Sequence, residues 1–194
     1  VLKRFGGRWL PGKRMWKLPP ITNLGDLVKA LPGLHITDEV CAWVSGQIAK
    51  RERLRALHHA EYASIRHADG LDGYQTVGVR FLADAGRAIL ADDVGLGKTA
   101  QAIRAAVEVG AERVLVVTRK SLIYNWCMEI QRWAYGAVPR VLTTKDGASD
   151  GAGWFVTNYE TVVRRAGELF GFDAVIVDEA AAIKNRKAQR TKAV

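Results

Sequence analysis

Cysteine is nearly absent: Cys41 and Cys127 are the two among 194 residues. Two isolated thiols build neither a disulfide framework nor a cysteine zinc site, so reduced thiols in a cytoplasmic, nucleoid or nuclear setting are expected. Long apolar runs are missing as well. No segment approaches the length of a membrane span. The basic start is not followed by an apolar stretch and a cleavage site, so no secretory leader is expected. Acidic residues are missing from both ends. Residues 1–20 carry six basic side chains (Lys3, Arg4, Arg8, Lys13, Arg14, Lys17) and residues 184–192 carry five (Lys184, Arg186, Lys187, Arg190, Lys192), with no acid in either stretch.

What remains is an ordinary core-forming chain. Hydrophobic residues make up 48% and charged residues 25%, which excludes disorder and suits one domain plus a small module. The net charge is +9 and sits at the ends: of 29 basic residues the two termini hold 11, leaving 18 against all 20 acids. Positive ends on a near-neutral body point to a polyanion, most naturally nucleic acid.

Along the chain, "RFGGRWLPGKRMWKLPP" (4–20) reads as two short strands turning at Pro11-Gly12, with Phe5, Trp9 and Trp16 on one face among cations. Residues 23–31 read as a short helix capped by Asn23 and ended by Pro32-Gly33. Residues 37–68 read as a longer, charged helical connector. Its His58, His59 and His67 are expected on the surface, because adjacent histidines on a helix face different directions. From Leu71 the pattern changes. Apolar runs 87–92, 113–118, 153–158 and 173–179 alternate with helical segments 76–85, 98–109, 121–134 and 159–168. This predicts a parallel sheet covered on both faces.

Two motifs in that part carry chemistry. In "AILADDVGLGKTAQAI" (88–103), Gly95, Gly97, Lys98 and Thr99 follow a predicted strand and open a predicted helix. Glycines let backbone N–H groups curl around phosphate oxygens, and the helix N-terminus adds partial positive charge. Lys98 suits the β and γ phosphates, and the Thr99 hydroxyl suits Mg²⁺. The strict phosphate-loop pattern has glycine where this chain has Asp92. Downstream, "DAVIVDEAAAIKN" (173–185) ends an apolar strand in Asp178-Glu179. Asp178 is placed to hold Mg²⁺, and Glu179 to orient and deprotonate an attacking water. An N-cap pair for the next helix would also explain two acids there. A nicotinamide-binding Rossmann domain would rest on Gly95 and Gly97 alone, and Lys98-Thr99 speaks against it.

These motifs resemble those of helicase superfamily 2, specifically the Snf-type (SWI/SNF) ATPases, over Leu71–Val194. "LDGYQTVGVRFL" is similar to the family's opening motif, in which a glutamine, here Gln75, reads adenine. "LADDVGLGKTAQAI" is similar to its phosphate loop, in which an acidic residue commonly stands at the position of Asp92. "VLVVTRKSLIYNWCMEIQRW" resembles the next motif through Ser121, Leu122, Asn125, Trp126 and Glu129. "FVTNYETV" resembles a segment along the nucleic-acid path, and "DEAAAIKN" the acidic box. At the N-terminus, "RFGGRWLPGKRMWKLP" is similar to the aromatic-basic module of annealing-helicase-like members, which contributes to binding branched or forked DNA.

The resemblance implies an α/β fold: an incomplete RecA-like parallel sheet with helices on both faces, preceded by a small aromatic-basic α+β module. The implied division is 1–45 for the module, 46–70 for a helical connector and 71–194 for the first RecA-like lobe. ATP would lie between Gln75, Asp92, the loop Gly95-Leu96-Gly97-Lys98-Thr99 and Asp178-Glu179, with Mg²⁺ on Thr99 and Asp178. Lys98, Asp178 and Glu179 would be catalytic. DNA would meet Arg8, Trp9, Arg14 and Trp16 in the module. In the lobe it would track a groove opposite the nucleotide, lined by Arg119, Lys120, Asn158 and Tyr159. The family has histidine or glutamine at the position of Ala181, a side chain that links nucleotide state to the motor, and proline at the position of Arg119. A second RecA-like lobe, which supplies an arginine to the ATP site, is not among these residues and is expected from another segment or chain. The alternative is a non-catalytic DNA-binding accessory protein with a vestigial nucleotide fold.

Overall fold

The computed structural model describes residues 1–19, 23–58, 70–146, 151–185 and 187–193. Two compact units divide the chain, Val1–Ala49 and Lys50–Val194. In the first, a single helical turn (Leu2–Phe5) leads into an antiparallel hairpin of β1 (Arg8–Leu10) and β2 (Met15–Lys17). The strands are joined by a short turn at Pro11–Lys13, as the Pro-Gly pair predicts. Trp9 faces Trp16 across the ladder, their ring centroids 5.7 Å apart. Helix α1 (Leu24–Ala30) follows, and Asn23 caps it by accepting from the N–H groups of Gly25 and Asp26. Helix α2 (Asp38–His58) contains the division between the units. His59 and His67 lie outside the described residues, as does the side chain of His58.

In the second unit, residues 50–58 of the expected connector pack with the lobe. Lys50 Nζ donates to the Ala85 carbonyl at 2.8 Å, and Arg53 pairs with Asp84 at 3.2 Å. Helix α3 (Gly73–Ala85) starts in a capping box between Asp72 and Gln75, and helix α4 (Lys98–Glu108) starts at the glycine loop. Leu71 and Val79 meet Ala100 and Ala105 in a small apolar cluster that packs α3 on α4.

The sheet is built from β3 (Arg113–Thr118), β4 (Arg140–Val141), β5 (Gly153–Asn158) and β6 (Ala174–Val177). Its order is β4-β5-β3-β6 and every pairing is parallel. Side chains alternate across a strand, so β3 serves two cores. Val114 and Val116 pack with Ile103 and Ala106 of α4 and with Trp126 and Ile130 of helix α5 (Ile123–Trp133). Leu115 and Val117 face the other way, toward Tyr159 and Val162 of helix α6 (Tyr159–Arg165) and Ala193 of helix α7 (Gln189–Ala193). A parallel sheet with helices on both faces is the expected architecture.

One expected strand is not there. Residues 87–92 run irregularly, and Ile89 is 81% exposed. The run "RAILAD" has one β-branched residue between alanines and gains little unless neighbours flank it. β6 is therefore an edge strand among the described residues, with Val175 exposed. The two-residue β4 was not foreseen. Among the described residues no helix is long and apolar enough to cross a membrane.

Candidate nucleotide site

The short link 109–112 returns the chain from α4 into β3, so α4 runs antiparallel to the sheet. Its N-terminus therefore lies toward the C-terminal edge of the strands, where Thr118, Asn158 and the Asp178-Glu179 pair also lie.

At the loop, Gly95 and Gly97 adopt positive φ, 88° and 70°, which favours glycine. Lys98 folds back, and its Nζ donates to the carbonyls of Asp92 and Asp93 at 2.8 Å each. Asp92 thereby has a local role where the strict pattern has glycine: its carbonyl holds the lysine, and its carboxylate accepts from Gln101 Nε2 at 3.1 Å. The Leu96 carbonyl accepts from two glutamine amides, Gln101 at 3.1 Å and Gln75 at 3.3 Å. Gln75 also accepts from the Asp72 N–H at 2.8 Å. A Cβ on Gly97 would lie 2.2 Å from the Gln75 amide nitrogen, so a side chain there would push that amide off the loop.

The loop fits an anion. No side chain caps α4, and the N–H groups of Lys98, Thr99 and Ala100 meet no acceptor among the described residues. Such orphan donors, together with the dipole of an 11-residue helix, favour phosphate. Around Gly95 a Cβ would meet nothing within 4 Å, so the mouth of the loop is open.

At the acidic tip, Asp178 Oδ2 accepts from Thr118 Oγ1 at 2.8 Å and from Trp126 Nε1 at 2.9 Å. Its Oδ1 takes no hydrogen bond from the described residues, which leaves one oxygen for a cation. Glu179 is exposed and sits in the left-handed region at φ 54°, ψ 54°. It also precedes a single helical turn, Ala180–Ile183, in which Ala181 is exposed. Among the described residues no hydrogen bond or ion pair joins Lys98 to Asp178 or Glu179.

The residues expected on an opposite, nucleic-acid groove lie differently. Arg119 is exposed and pairs with Glu179 of the acidic tip at 3.5 Å. Tyr159 is 5% exposed and its hydroxyl donates to the Asp178 carbonyl, so it supports the tip from beneath and offers no surface to a strand. Asn158 spends its side-chain oxygen capping α6, accepting from the N–H groups of Glu160 and Thr161 at 3.0 Å each. Lys120 is exposed just beyond the end of β3. In the first unit Arg8, Trp9 and Arg14 are exposed and Trp16 is half-buried.

Three structural partners were not among the expected site residues: Thr118, Trp126 and Gln101. Gln101 had a sequence signal, since it is a lone amide among Ala100, Ile103, Ala105 and Ala106, all buried. Thr118 had a weaker one, as the hydroxyl that ends an otherwise apolar strand.

Known proteins are similar to this chain. Helicase ssl-1 of Caenorhabditis elegans is 35% identical over 123 residues, covering 55% of this chain and 5% of that protein. The SWI/SNF-related matrix-associated actin-dependent regulator of chromatin subfamily A-like protein 1 of Bos taurus is 37% identical over 127 residues, 62% of this chain and 13% of its own. The DNA annealing helicase and endonuclease ZRANB3 of Bos taurus is 33% identical over 133 residues, 61% and 12%. The chain thus spans a small part of each relative. Among solved structures, the Sulfolobus solfataricus SWI2/SNF2 ATPase core in complex with dsDNA is similar, with TM-score 0.54 and 29% identity over 62% of this chain and 28% of that one. The profile of the SNF2-related domain matches residues 74–194, and the chain belongs to that family.

Proposed function

We propose that this chain is the nucleotide-binding portion of a DNA-dependent ATPase, a helicase or translocase that uses Mg·ATP to remodel or reanneal DNA. The observation that carries it is the row of unbonded N–H groups at Lys98, Thr99 and Ala100, with Lys98 held at the same loop. On this reading Gln75 reads adenine and the N–H row takes phosphate oxygens. Lys98 leaves its two carbonyls for the β and γ phosphates. Thr99 and the open oxygen of Asp178 would hold Mg²⁺, which when bound neutralises charge on those phosphates. Glu179 orients the attacking water and accepts its proton. The relatives' names as helicases and the neighbour's complex with dsDNA support DNA as the partner. Branched or forked DNA is the form we assign to the hairpin unit, where Arg8 stands directly opposite Lys17. Like charges facing each other weaken a two-stranded ladder, so a polyanion that neutralises both explains the pair. Turnover needs an arginine from a second lobe, worth about 10³ or more in rate, so residues 1–194, tested alone, are expected to bind Mg·ATP and hydrolyse it slowly.

Calorimetric titration of residues 1–194 with Mg·ATP tests the reading. Saturation below roughly millimolar nucleotide, lost in Lys98→Ala, is expected; no heat of binding at several times that concentration ends it. A second reading, a DNA-binding accessory with a vestigial nucleotide fold, is favoured by Arg119 engaging Glu179 and by Ala181. It predicts DNA binding that Lys98→Ala leaves intact and no response to Mg·ATP.

A further inference from the structure

Gln101 is fully buried, yet its amide is not accounted for by α4. Its Nε2 divides between the Asp92 carboxylate and the Leu96 carbonyl, two points of the loop on either side of Gly95 in sequence. Its Oε1 is buried with no hydrogen-bond partner. That oxygen is pressed against α3: a Cβ built on Gly78 would lie 1.8 Å from it. The amide is thus wedged between the backbone of α3 and the loop. A buried amide oxygen without a donor is costly, and the arrangement persists only where the other half of the amide is held firmly.

We propose that Gln101 is the positioning residue of the phosphate loop, and that Gly78 exists to give it room. The inference rests on the ATP reading for its ligand and deepens it. By tying Asp92 to Leu96, Gln101 fixes the curvature that aims the free N–H groups of Lys98 and Thr99 at one anion. Asp92 is then the loop's anchor, not a substitute for a missing glycine. Gln75, bonding the same Leu96 carbonyl from α3, shares the load, and moves off it when it turns to a base.

Two variants test this. Gln101→Leu keeps the volume and removes the amide. Gly78→Ala keeps every polar group but drives the Gln101 side chain aside; alanine is otherwise the better helix former there. Each is expected to weaken Mg·ATP binding about tenfold, the loss of roughly one hydrogen bond to a charged group, with the melting temperature held. A merely structural role would lower the melting temperature and leave the affinity of the folded protein alone. In a Gln101→Ala background, where the new Cβ has space, Gly78→Ala is expected to add no further loss. Wild-type affinity in Gln101→Leu, or an additive effect of Gly78→Ala, overturns the proposal. Hydrogen exchange of residues 92–97 without nucleotide gives an independent reading. Should the wild type fail to bind Mg·ATP, the ATP reading falls, and exchange still decides the clamp: faster in both variants supports it, unchanged overturns it. If Gln101→Leu does not fold, Gly78→Ala carries the same comparison.

Discussion

Trp126 donates its indole N–H to the Asp178 carboxylate, Nε1 to Oδ2 at 2.9 Å. The tryptophan is 4% exposed and belongs to α5, so the bond ties a core side chain to the acidic strand tip. Thr118 Oγ1 reaches the same oxygen at 2.8 Å. Two donors on one oxygen fix the carboxylate's plane and leave the other oxygen without a hydrogen bond from the described residues. Trp126→Phe keeps an aromatic ring in the core but deletes a donor to a charged group. It is expected to destabilise the fold by about 2 kcal/mol, read from urea unfolding. Thr118→Val, which deletes the second donor at nearly constant volume, is expected to act in the same direction. A wild-type urea midpoint in both variants would show that neither bond orients Asp178.

Glu179 sits at φ 54°, where a side chain crowds the following carbonyl. A non-glycine residue in that region costs roughly 1–2 kcal/mol. Its partner Arg119 is exposed and 3.5 Å away, a surface ion pair of little worth. The strain therefore outweighs the pair. Glu179→Gly is expected to leave the urea midpoint unchanged or raise it, against glycine's own entropic cost. Glu179→Gln, which keeps the strain and loses only the charge, is expected to give no such gain. A clear fall in stability for Glu179→Gly would mean that the carboxylate is structural. Stability that survives loss of this side chain leaves chemistry as its reason for being there.

The two thiols differ. Cys41 is exposed, whereas Cys127 on α5 is half-buried and packs at the edge of the core. Burial pushes the Cys127 thiol above its ordinary range by disfavouring the thiolate. The thiolate is the form that alkylates, so raising the pKa shrinks the reactive fraction at neutral pH. Iodoacetamide at pH 7 is expected to label Cys41 first. Labelling of Cys127 should lag and quicken as the pH rises, and the difference should vanish in urea. Mass spectrometry of the two peptides measures both rates. Equal rates in the folded protein at pH 7 would contradict the packing of α5.

Much of this was legible in the sequence because it is local. A Pro-Gly pair specifies a hairpin, an asparagine before an apolar run specifies a cap, and runs such as "RVLVVT" specify a strand buried on both faces. The loop and the acidic tip were legible for the same reason: each is a short string with its own chemistry. What was not legible depends on neighbours. "RAILAD" looks like a strand in a window of six residues, but a strand forms through its partners, and none flanks it among the described residues. Tyr159 looked available to a nucleic acid until the fold buried it beneath Asp178, and Asn158 gives its side-chain oxygen to the cap of α6. Arg119 looked like part of a separate surface, and the parallel register of β3 with β6 brings its side chain to Glu179.

That register logic also sharpens the expectation for the hairpin. Arg8 and Lys17 are paired residues on neighbouring strands, and their charges repel. Arg8→Gln removes the repulsion, so the hairpin should become no less stable, seen as an equal or higher midpoint for the tryptophan fluorescence of that unit. The same change should weaken binding to a fluorescent forked oligonucleotide and lower the magnitude of its salt slope by about 1. Trp9, 43% exposed and packed at a tilt against Trp16, is expected to behave otherwise. Trp9→Ala should weaken binding to unpaired bases by about 1–3 kcal/mol while leaving the salt slope alone, because stacking releases no counterions. A side chain whose removal strengthens the fold and weakens the complex is present for the complex. If Arg8→Gln leaves both affinity and salt slope unchanged, the hairpin is not the surface that meets DNA, and the cations at residues 184–192 become the place to look.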